Sequence, residues 1–501
     1  MAMITLRKLI HHLWLFAFYG FVGVFLTLLV IFVQVMNDRP DLSIWHFAEL
    51  DEEFTVDSEV RSFKDYLALE DRLFKQLDDE VYAKITNDQK DKVNRYNKGS
   101  LSDPGQWPQN WNRSYEMPVS QPKAAALLLH GMSDSPYSLR NLAERLHQAG
   151  VYVVGLRIPG HGTAPSGLTT VSWQDMAAAV QLAVQHVAEK ADGQPLHIIG
   201  YSNGGGLAVN YALAAADDAT LPQITSMALL SPEIGIAAAA ALAVWQARLG
   251  TLLGLDKLAW NGILPEYDPY KYGSFAVNAG DVAYKLTKQV QQQITALDKK
   301  GKLEKIPPIL AFSSIVDATV SAPALIHGLF DRLPAGGHEL VLFNINQMAY
   351  IGPLLKWSPA EMFGALQENP GKTFTLSLVT NMSNDSMDVR FVSQPLGKDE
   401  AVNIDLGLSW PEDVYSLTHV ALPFPPDDPL YGAEWDSGKS DLHIHLGDIA
   451  LRGERGVLQV PAAEMLRLRW NPFYPFLEQK VMEFFTLETT ASLPAVLDQQ
   501  Q

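Results

Sequence analysis

The sequence contains no cysteine in its 501 residues. Without thiols there is no disulfide framework, no thiolate nucleophile and no zinc site built on sulfur. Positive charge is also scarce, since 38 Lys and Arg stand against 56 Asp and Glu, for a formal net charge of −18. A nucleic-acid-binding protein needs a concentrated basic surface, so this composition argues against that class. The hydrophobic residues, 47% of the chain, are sufficient to bury a core that holds a cavity.

Charge is absent from Leu13 to Val35, a run of 23 residues that is long enough to span a bilayer as one helix. A cleaved signal peptide is the alternative, but the run exceeds a usual signal-peptide core and no small-residue cleavage pattern follows it. We therefore predict an uncleaved, single-pass membrane anchor. Arg7 and Lys8 precede the span, which by the positive-inside bias places the remaining chain outside the cytoplasm, in the periplasm of a Gram-negative cell.

The segment after the anchor, residues 36–119, is predicted to be a helical stalk and linker. Apolar residues recur at helical spacing between Val56 and Ile85, and Glu70 interrupts the stripe that they form. Docking on the main domain and a freely solvated spacer helix are both compatible with this pattern. From Asn97 to Pro122 glycine and proline are frequent, so we do not expect regular structure there.

Short apolar runs without alternation, separated by helical patterns, indicate a parallel sheet that helices cover on both faces. The fold class is therefore α/β, with a mostly parallel central sheet. The predicted strands are Ala124–Leu129, Val151–Leu156, Leu196–Gly200, Ser226–Leu230, Ile309–Ser313 and Leu340–Phe343.

The segment Gly200-Tyr201-Ser202-Asn203-Gly204 is a G-x-S-x-G sequence between a predicted strand and a predicted helix. In that context the glycines permit the cramped turn that lifts a serine hydroxyl above the sheet. The helix that follows directs the positive end of its dipole toward developing negative charge. The pentapeptide is common by itself, but this position favours a nucleophile over a structural turn, and Ser202 is the candidate.

In order and context, these motifs resemble those of the α/β-hydrolase superfamily, of the esterase, lipase and monoacylglycerol-lipase type in a membrane-anchored bacterial form. The resemblance covers roughly residues 120–345 and 415–486. It rests on the segments Leu128–Gly131, Arg157–Pro165 and Gly200–Gly205, together with an acid and a histidine that follow them. It implies the α/β-hydrolase fold and hydrolysis of an ester.

The resemblance also implies that the backbone N–H groups of Met132 and Asn203 form the oxyanion hole. Two pre-aimed amides would stabilise a tetrahedral oxyanion without reorganisation during the reaction. For His130 and His161 it implies roles in loop shape and hydrogen bonding, and we expect neither to transfer a proton.

A serine hydroxyl needs a histidine that accepts its proton and an acid that orients this histidine. The chain order in the α/β-hydrolase fold is serine, acid, histidine. Asp317 ends the apolar run that begins at Ile309, 115 positions after Ser202, and is the candidate acid. Asp331 lies in the next helical pattern, where we expect it to face solvent.

His419 is the candidate base, because a polar, proline-rich loop suited to presenting an imidazole follows it. Its separation from Asp317 is 102 positions, far more than one helix and one strand need, which is a departure from the family pattern.

Other histidines fit the role less well. His327 falls inside a helical pattern, and His338 precedes a strand, at the end of the sheet opposite to catalytic loops. His443 and His445 alternate in a predicted strand and could share a metal, but no third ligand stands out, so no metal site is predicted.

Two insertions are expected in the hydrolase domain. Residues 347–414 form a β-rich insertion with strands at Thr373–Val379 and Met387–Val392, which either braces the fold or shapes the entrance to the site. Residues 232–305 form a helical cap, in which Trp245 either lines an apolar acyl pocket or simply packs the cap.

The predicted organisation follows from these assignments. It comprises a short tail (1–12), a transmembrane helix (13–35), the stalk and linker (36–119), the hydrolase domain (120–486) and a C-terminal tail (487–501). The predicted function is cleavage of hydrophobic or lipid-like esters through Ser202, His419 and Asp317 without a cofactor. An acyltransferase or a non-catalytic binding protein on the same scaffold is the alternative. The pattern carries no signal for oligomeric state.

Overall fold

The computed structural model describes residues 2–90, 93–235, 255–317, 319–351, 354–369, 371–398, 400–433, 444–447, 451–452 and 466–487. The strands are β1 Tyr115–Met117, β2 Ala124–Leu129, β3 Val151–Leu156, β4 Leu196–Tyr201, β5 Ser226–Leu230, β6 Trp260–Gly262, β7 Phe275–Ala276, β8 Ile309–Ser314, β9 Glu339–Phe343, β10 Thr375–Asn381, β11 Asp388–Gln394, β12 Val402–Ser409, β13 Leu451–Arg452 and β14 Leu466–Arg467. The helices are α1 Ala2–Asn37, α2 Ile44–Phe47, α3 Phe63–Glu80, α4 Arg140–Gln148, α5 Gly167–Thr170, α6 Trp173–Ala191, α7 Asn203–Asp217, α8 Val277–Lys299, α9 Ala322–Gly328, α10 Pro359–Gln367 and α11 Tyr474–Phe484.

Ten strands form one sheet in the order β1-β3-β2-β4-β5-β8-β9-β10-β11-β12. From β3 to β10 neighbouring strands are parallel, and β1, β11 and β12 add antiparallel edges. The six strands expected from the apolar runs are all present, with ends that differ by at most one residue. The runs are mainly apolar and do not alternate, because both faces of these strands are buried.

The alternation of side chains along β2 divides the interior into two layers. Ala125, Leu127 and Leu129 join the cluster that packs α6, α7 and α8 on one face of the sheet. The intervening residues of the strand, from Ala124 to Leu128, join the cluster that packs α4 and α11 on the other face. The sheet is therefore the middle layer of three, as the α/β class predicts.

Strands β10, β11 and β12, in the region predicted to be a β-rich insertion, extend the main sheet. Strands β10 and β11 lie where alternation indicates them, and β10 pairs in parallel with β9. Helix α10 and strand β12 were not predicted. Only one residue of β12 is fully buried, because it is an edge strand with one face toward solvent.

Helix α3 docks on the domain, so the solvated-spacer alternative is wrong. Phe63 and Tyr66 belong to the hydrophobic cluster that packs on the α6 face of the sheet, and Leu73 is fully buried. Glu70 does not break the helix: it is buried and accepts hydrogen bonds from the N–H and hydroxyl of Ser114, both at 2.9 Å.

Strand β1 also differs from the sequence prediction, because it lies in the stretch for which no regular structure is expected.

A buried ion cluster ties this segment to the loop after β3. The guanidinium of Arg157 is fully buried and contacts Glu70 at 3.1 Å and Glu53 at 2.9 Å. Glu53 also accepts the N–H of Gly160, and the Tyr66 hydroxyl donates to the carbonyl of Arg157 at 2.6 Å. Residues 53–70 therefore fix the shape of the loop that begins at Arg157.

Helix α1 contains a stretch, His11–Met36, that is long and apolar enough to cross a membrane, and none of it is buried against the rest of the chain. A signal sequence near the N-terminus can also meet these two criteria. Directly after the helix, the Arg39 guanidinium donates to the carbonyls of Lys257 and Trp260, at 2.7 and 2.6 Å. Lys257 donates in return to the carbonyl of Arg39 at 2.8 Å. The chain directly after α1 is thus bonded to the region predicted to form the cap.

We expect Glu70→Gln to lower the free energy of unfolding of the detergent-solubilised chain by about 3 kcal/mol, because it leaves the buried Arg157 without part of its neutralising charge. Glu52→Gln is the matched control, since Glu52 pairs with Arg72 at 2.8 Å on the surface. Its effect should be about 1 kcal/mol or less. Urea unfolding followed by tryptophan fluorescence measures both. Equal, small effects would show that the Arg157 cluster contributes nothing to stability.

Candidate active site

Ser202 occupies a strained turn between β4 and α7. Its φ and ψ are 52° and −116°, in a region that side-chain-bearing residues rarely adopt. Its N–H donates to the carbonyl of Leu230, at the end of β5, at 2.9 Å. This is the geometry expected for the G-x-S-x-G turn, which raises the serine above the carboxyl edge of the sheet.

The flanking glycines are required by close backbone contacts. A Cβ at Gly200 would lie 2.6 Å from the carbonyl oxygen of Gly204. A Cβ at Gly204 would overlap the carbonyl oxygen of Leu129 and lie 2.6 Å from that of His130. The first turn of α7 therefore rests directly on the chain that leaves β2, which brings the loop containing Met132 beside the start of the helix at Asn203.

Met132 and Asn203, whose N–H groups are expected to bind an oxyanion, belong to these two abutting segments. The loop after β2 is held from the predicted cap region. Ser133 has a positive φ of 62°, and its carbonyl accepts the N–H of Tyr272 at 2.9 Å. Next to it, Asp134 forms an ion pair with Lys271 at 2.9 Å. The cap region thus positions the loop that carries one of the two amides.

His130 and His161 are buried and bonded to loop backbone. The Nε2 of His130 accepts the N–H of Ile158 at 3.0 Å, and its Nδ1 lies 2.8 Å from the carbonyl of Gly131. Burial and the nearby charge of His161 lower the pKa of His130 well below its usual value. Burial likewise lowers the pKa of His161 to about 4. Both are therefore neutral near pH 7 and join the loops after β2 and β3.

Asp317 and His419 come together despite the 102 positions between them. The Oδ1 of Asp317 accepts the N–H groups of Thr319 and Val320, both at 3.0 Å, which fixes the carboxylate after β8. His419 begins a one-turn 3₁₀ helix, His419–Ala421, that the Thr418 side chain caps. The Nδ1 of His419 lies 3.8 Å from Asp317 Oδ1, within ion-pair range but longer than a hydrogen bond.

The remaining candidates lie elsewhere. His327 and Asp331 pair with each other at 2.8 Å, and the His327 side chain is largely exposed. His338 accepts the N–H of Ile309, at the amino end of β8. His445 lies 3.0 Å from the carbonyl of Gly432 in a segment that is not a strand. Trp245 and His443 lie outside the described residues.

Metal ligation is not indicated by the described part of the chain, where no group of three His, Asp or Glu side chains is arranged to hold an ion.

Among the described residues, one functional candidate was missed in the sequence. Glu233 follows β5, and its N–H donates to the carbonyl of Ser202 at 2.9 Å. The available signal was its place after an apolar strand, at the edge where catalytic groups collect.

Comparison with known proteins agrees with this architecture. Residues 120–344 match the family model described as serine aminopeptidase, S33. The chain is 33% identical over 86 residues to the thermostable monoacylglycerol lipase of Bacillus sp. strain H-257, and this match covers 17% of the chain. It spans 34% of that relative, about a third of its length.

Solved structures are similar at lower identity. The monoacylglycerol lipase of Paleococcus ferrophilus is 18% identical, with 46% of this chain and 88% of that chain covered and a TM-score of 0.35. A metagenome-derived lipolytic enzyme is 20% identical, with 47% and 87% covered and a TM-score of 0.35.

The sheet order and the strained turn at Ser202 are those of the α/β-hydrolase fold, and the family match over residues 120–344 agrees with this fold. The matched part of the chain is similar to esterase- and lipase-like proteins of this fold.

We expect Gly204→Ala to lower the free energy of unfolding by about 3 kcal/mol or more, because the new Cβ would overlap backbone atoms that cannot move away. Gly280→Ala is the control, because Gly280 lies inside α8 with open space where a Cβ would go. That change should raise stability by about 0.5–1 kcal/mol, since alanine has the higher helix propensity. Thermal unfolding measures both, and a Gly204→Ala protein as stable as the wild type would contradict the contact.

Proposed function

We propose that the chain is a serine hydrolase that cleaves carboxylic esters, with Ser202 as nucleophile, His419 as base and Asp317 orienting the base. The observation that carries the proposal is the 3.8 Å approach of His419 to Asp317 at the sheet edge that also holds the Ser202 turn. Serine, acid and histidine follow β4, β8 and the sheet extension, in the order that this fold uses.

The reaction begins when the Ser202 hydroxyl attacks the ester carbonyl. The Nε2 of His419 takes the hydroxyl proton, since Nδ1 faces Asp317, whose negative charge stabilises the imidazolium. The N–H groups of Met132 and Asn203 receive the oxyanion. His419 then returns its proton to the departing alcohol, which leaves an acyl-enzyme. Water activated by His419 attacks this intermediate, and the acid is released without a cofactor.

We further propose that α1 anchors the protein in a membrane and that the substrate is a hydrophobic or lipid-like ester. Large apolar side chains are exposed along α1, among them Phe16, Phe21 and Trp14. The Arg39 contacts with Lys257 and Trp260 support a position for the cap region close to the bilayer surface. An ester that partitions into the bilayer would then be concentrated at the site.

The organisation of the chain is proposed on the same grounds. Residues 13–35 form the span, and residues 120–486 form the hydrolase domain, which lies outside the cytoplasm. The segment 36–119 connects the two and also packs on the domain through α3.

The triad is tested by labelling the detergent-solubilised chain with a fluorophosphonate probe. Wild type should label. Labelling of Ser202→Ala and His419→Ala should be lower by a factor of roughly 10³ or more, because the nucleophile and its base act as a unit. His327→Ala is the matched control, because His327 pairs with Asp331 away from the sheet edge, and it should label normally. Normal labelling of His419→Ala would assign the base to another histidine. A folded wild type that does not label would overturn the proposal.

Hydrolysis and acyl transfer are separated by adding an alcohol and analysing the products formed.

The anchor is tested with single cysteines, which the cysteine-free chain allows without further changes. Spin labels at Val30→Cys in α1, at Leu264→Cys, and at Leu396→Cys after β11 report the depth of three exposed leucine or valine positions. Leu264 lines a cavity of about 510 Å³ together with Pro40 and Asp41, which follow the span.

In nanodiscs, we expect oxygen to relax the label at Val30 more than a water-soluble nickel chelate does, and the reverse at Leu396. The label at Leu264 should be intermediate, because the cavity lies beside the end of the span. An aqueous profile at Val30 would overturn the anchor. An aqueous profile at Leu264 alone would place the cap region away from the bilayer.

A further inference from the structure

A second carboxyl group leaves the sheet beside Asp317, the residue that His419 approaches. Three neighbouring strands of the sheet end in candidate groups: Ser202 after β4, Glu233 after β5 and Asp317 after β8. Because parallel strands share one carboxyl edge, the two acids leave adjacent strands on the same side of the sheet. Asp317 has a place in the proposed reaction, and Glu233 has none.

The main chain of Glu233 is built into the nucleophile turn. Its N–H donates to the carbonyl of Ser202 at 2.9 Å. The N–H of Ser202 in turn donates to the carbonyl of Leu230, which precedes Glu233 by three residues. Gly205 and Gly206 permit this approach, since a Cβ on the first would lie 2.7 Å from Pro232 and one on the second 2.9 Å from the carbonyl of Glu233. The position of Glu233 is therefore tied to that of the nucleophile.

The side chain of Glu233 is in an unusual state for a carboxyl group. It is 9% exposed, and its Oε2 atom is buried without a hydrogen-bond partner among the described residues. Burial raises the pKa of Glu233 to about 7, and the charge of the neighbouring His419 opposes that rise. A buried carboxyl group without a full set of partners destabilises the fold, so its presence beside an ionisable histidine requires an explanation.

The other ionisable groups at this edge act differently. Asp317 faces His419 from the loop after β8, and two backbone N–H groups hold its Oδ1. Tyr201 ends β4, and burial together with the charges of Asp134 and Asp317 raises its pKa well above 10, so it stays neutral. Asp317 and Glu233 are thus two acids, among the described residues, whose charges act on His419.

We propose that Glu233 is a positioning residue that acts on His419 from the side of β5, so that two carboxyl groups, and not one, stabilise the imidazolium formed during ester cleavage. This inference rests on the proposed function. When Glu233 is ionised it favours the protonated form of His419, and when it is neutral this contribution is lost. The rate of ester cleavage should therefore increase further as Glu233 loses its proton, which happens near neutral pH.

The test compares the pH dependence of kcat/KM for a soluble short-chain ester in wild type and Glu233→Gln, which keeps the shape and removes the charge. Without the second charge His419 loses its proton at lower pH, so the acid limb of the profile should move by about one pH unit toward acid. Above pH 8 the transition state lacks one carboxylate, and kcat/KM should fall by about tenfold. The ratio of wild type to variant should therefore rise with pH.

Asp331→Asn is the matched control, because Asp331 pairs with His327 away from the site, and its profile should coincide with that of wild type. If Glu233→Gln does not fold, Glu233→Asp replaces it. Aspartate keeps the charge and withdraws it by one methylene group, so the shift should have the same direction and a smaller size.

Profiles that stay parallel, whatever the loss of activity, would overturn the inference, because a purely structural role lowers the rate equally at all pH values. A change confined to KM for esters of polar alcohols would overturn it as well, in favour of a substrate contact. If wild type and Ser202→Ala are equally inactive on esters, the proposed function fails and this inference fails with it.

Discussion

The site depends on the contact between the first turn of α7 and the chain leaving β2. Gly200 and Gly204 have no side chains, and only for that reason can the helix start, β4 and β2 approach as closely as they do. The contact forces Ser202 into its positive φ, a strain that costs roughly 1–3 kcal/mol and that the buried strands on either side offset. It also sets the Met132 loop beside Asn203. The serine and both expected oxyanion donors are thus positioned by one backbone contact.

The sheet fixes where the loops begin, and segments outside its parallel centre fix their shape. The loop after β3 is held by Arg157, whose buried charge is neutralised by Glu53 and Glu70 from the N-terminal segment. The loop after β2 is held by Tyr272 and Lys271 from the predicted cap region. Functional groups on loops need such support, because small displacements of an amide or a base weaken its action strongly. The N-terminal segment is accordingly part of the hydrolase structure, in addition to connecting it with α1.

Electrostatics distinguish the two acids at the histidine. Asp317 accepts two backbone N–H groups, and such bonds favour the ionised carboxylate. Glu233 is buried, its Oε2 has no hydrogen-bond partner among the described residues, and burial raises its pKa to about 7. Under the proposed function, two carboxyl groups in such different surroundings would have different roles.

Elements with local signals can be predicted from the sequence of this chain. The apolar runs predicted β2 to β5, β8 and β9 because a strand buried on both faces needs apolar side chains throughout. The glycine spacing indicated Ser202 because only glycine fits the contacts on either side of it. Tertiary packing produces the remaining features: the approach of Asp317 to His419, the ion cluster around Arg157 and the position of Glu233. Each joins residues that are far apart in the chain, and whether a charged side chain is buried, paired or exposed depends on what the fold packs against it.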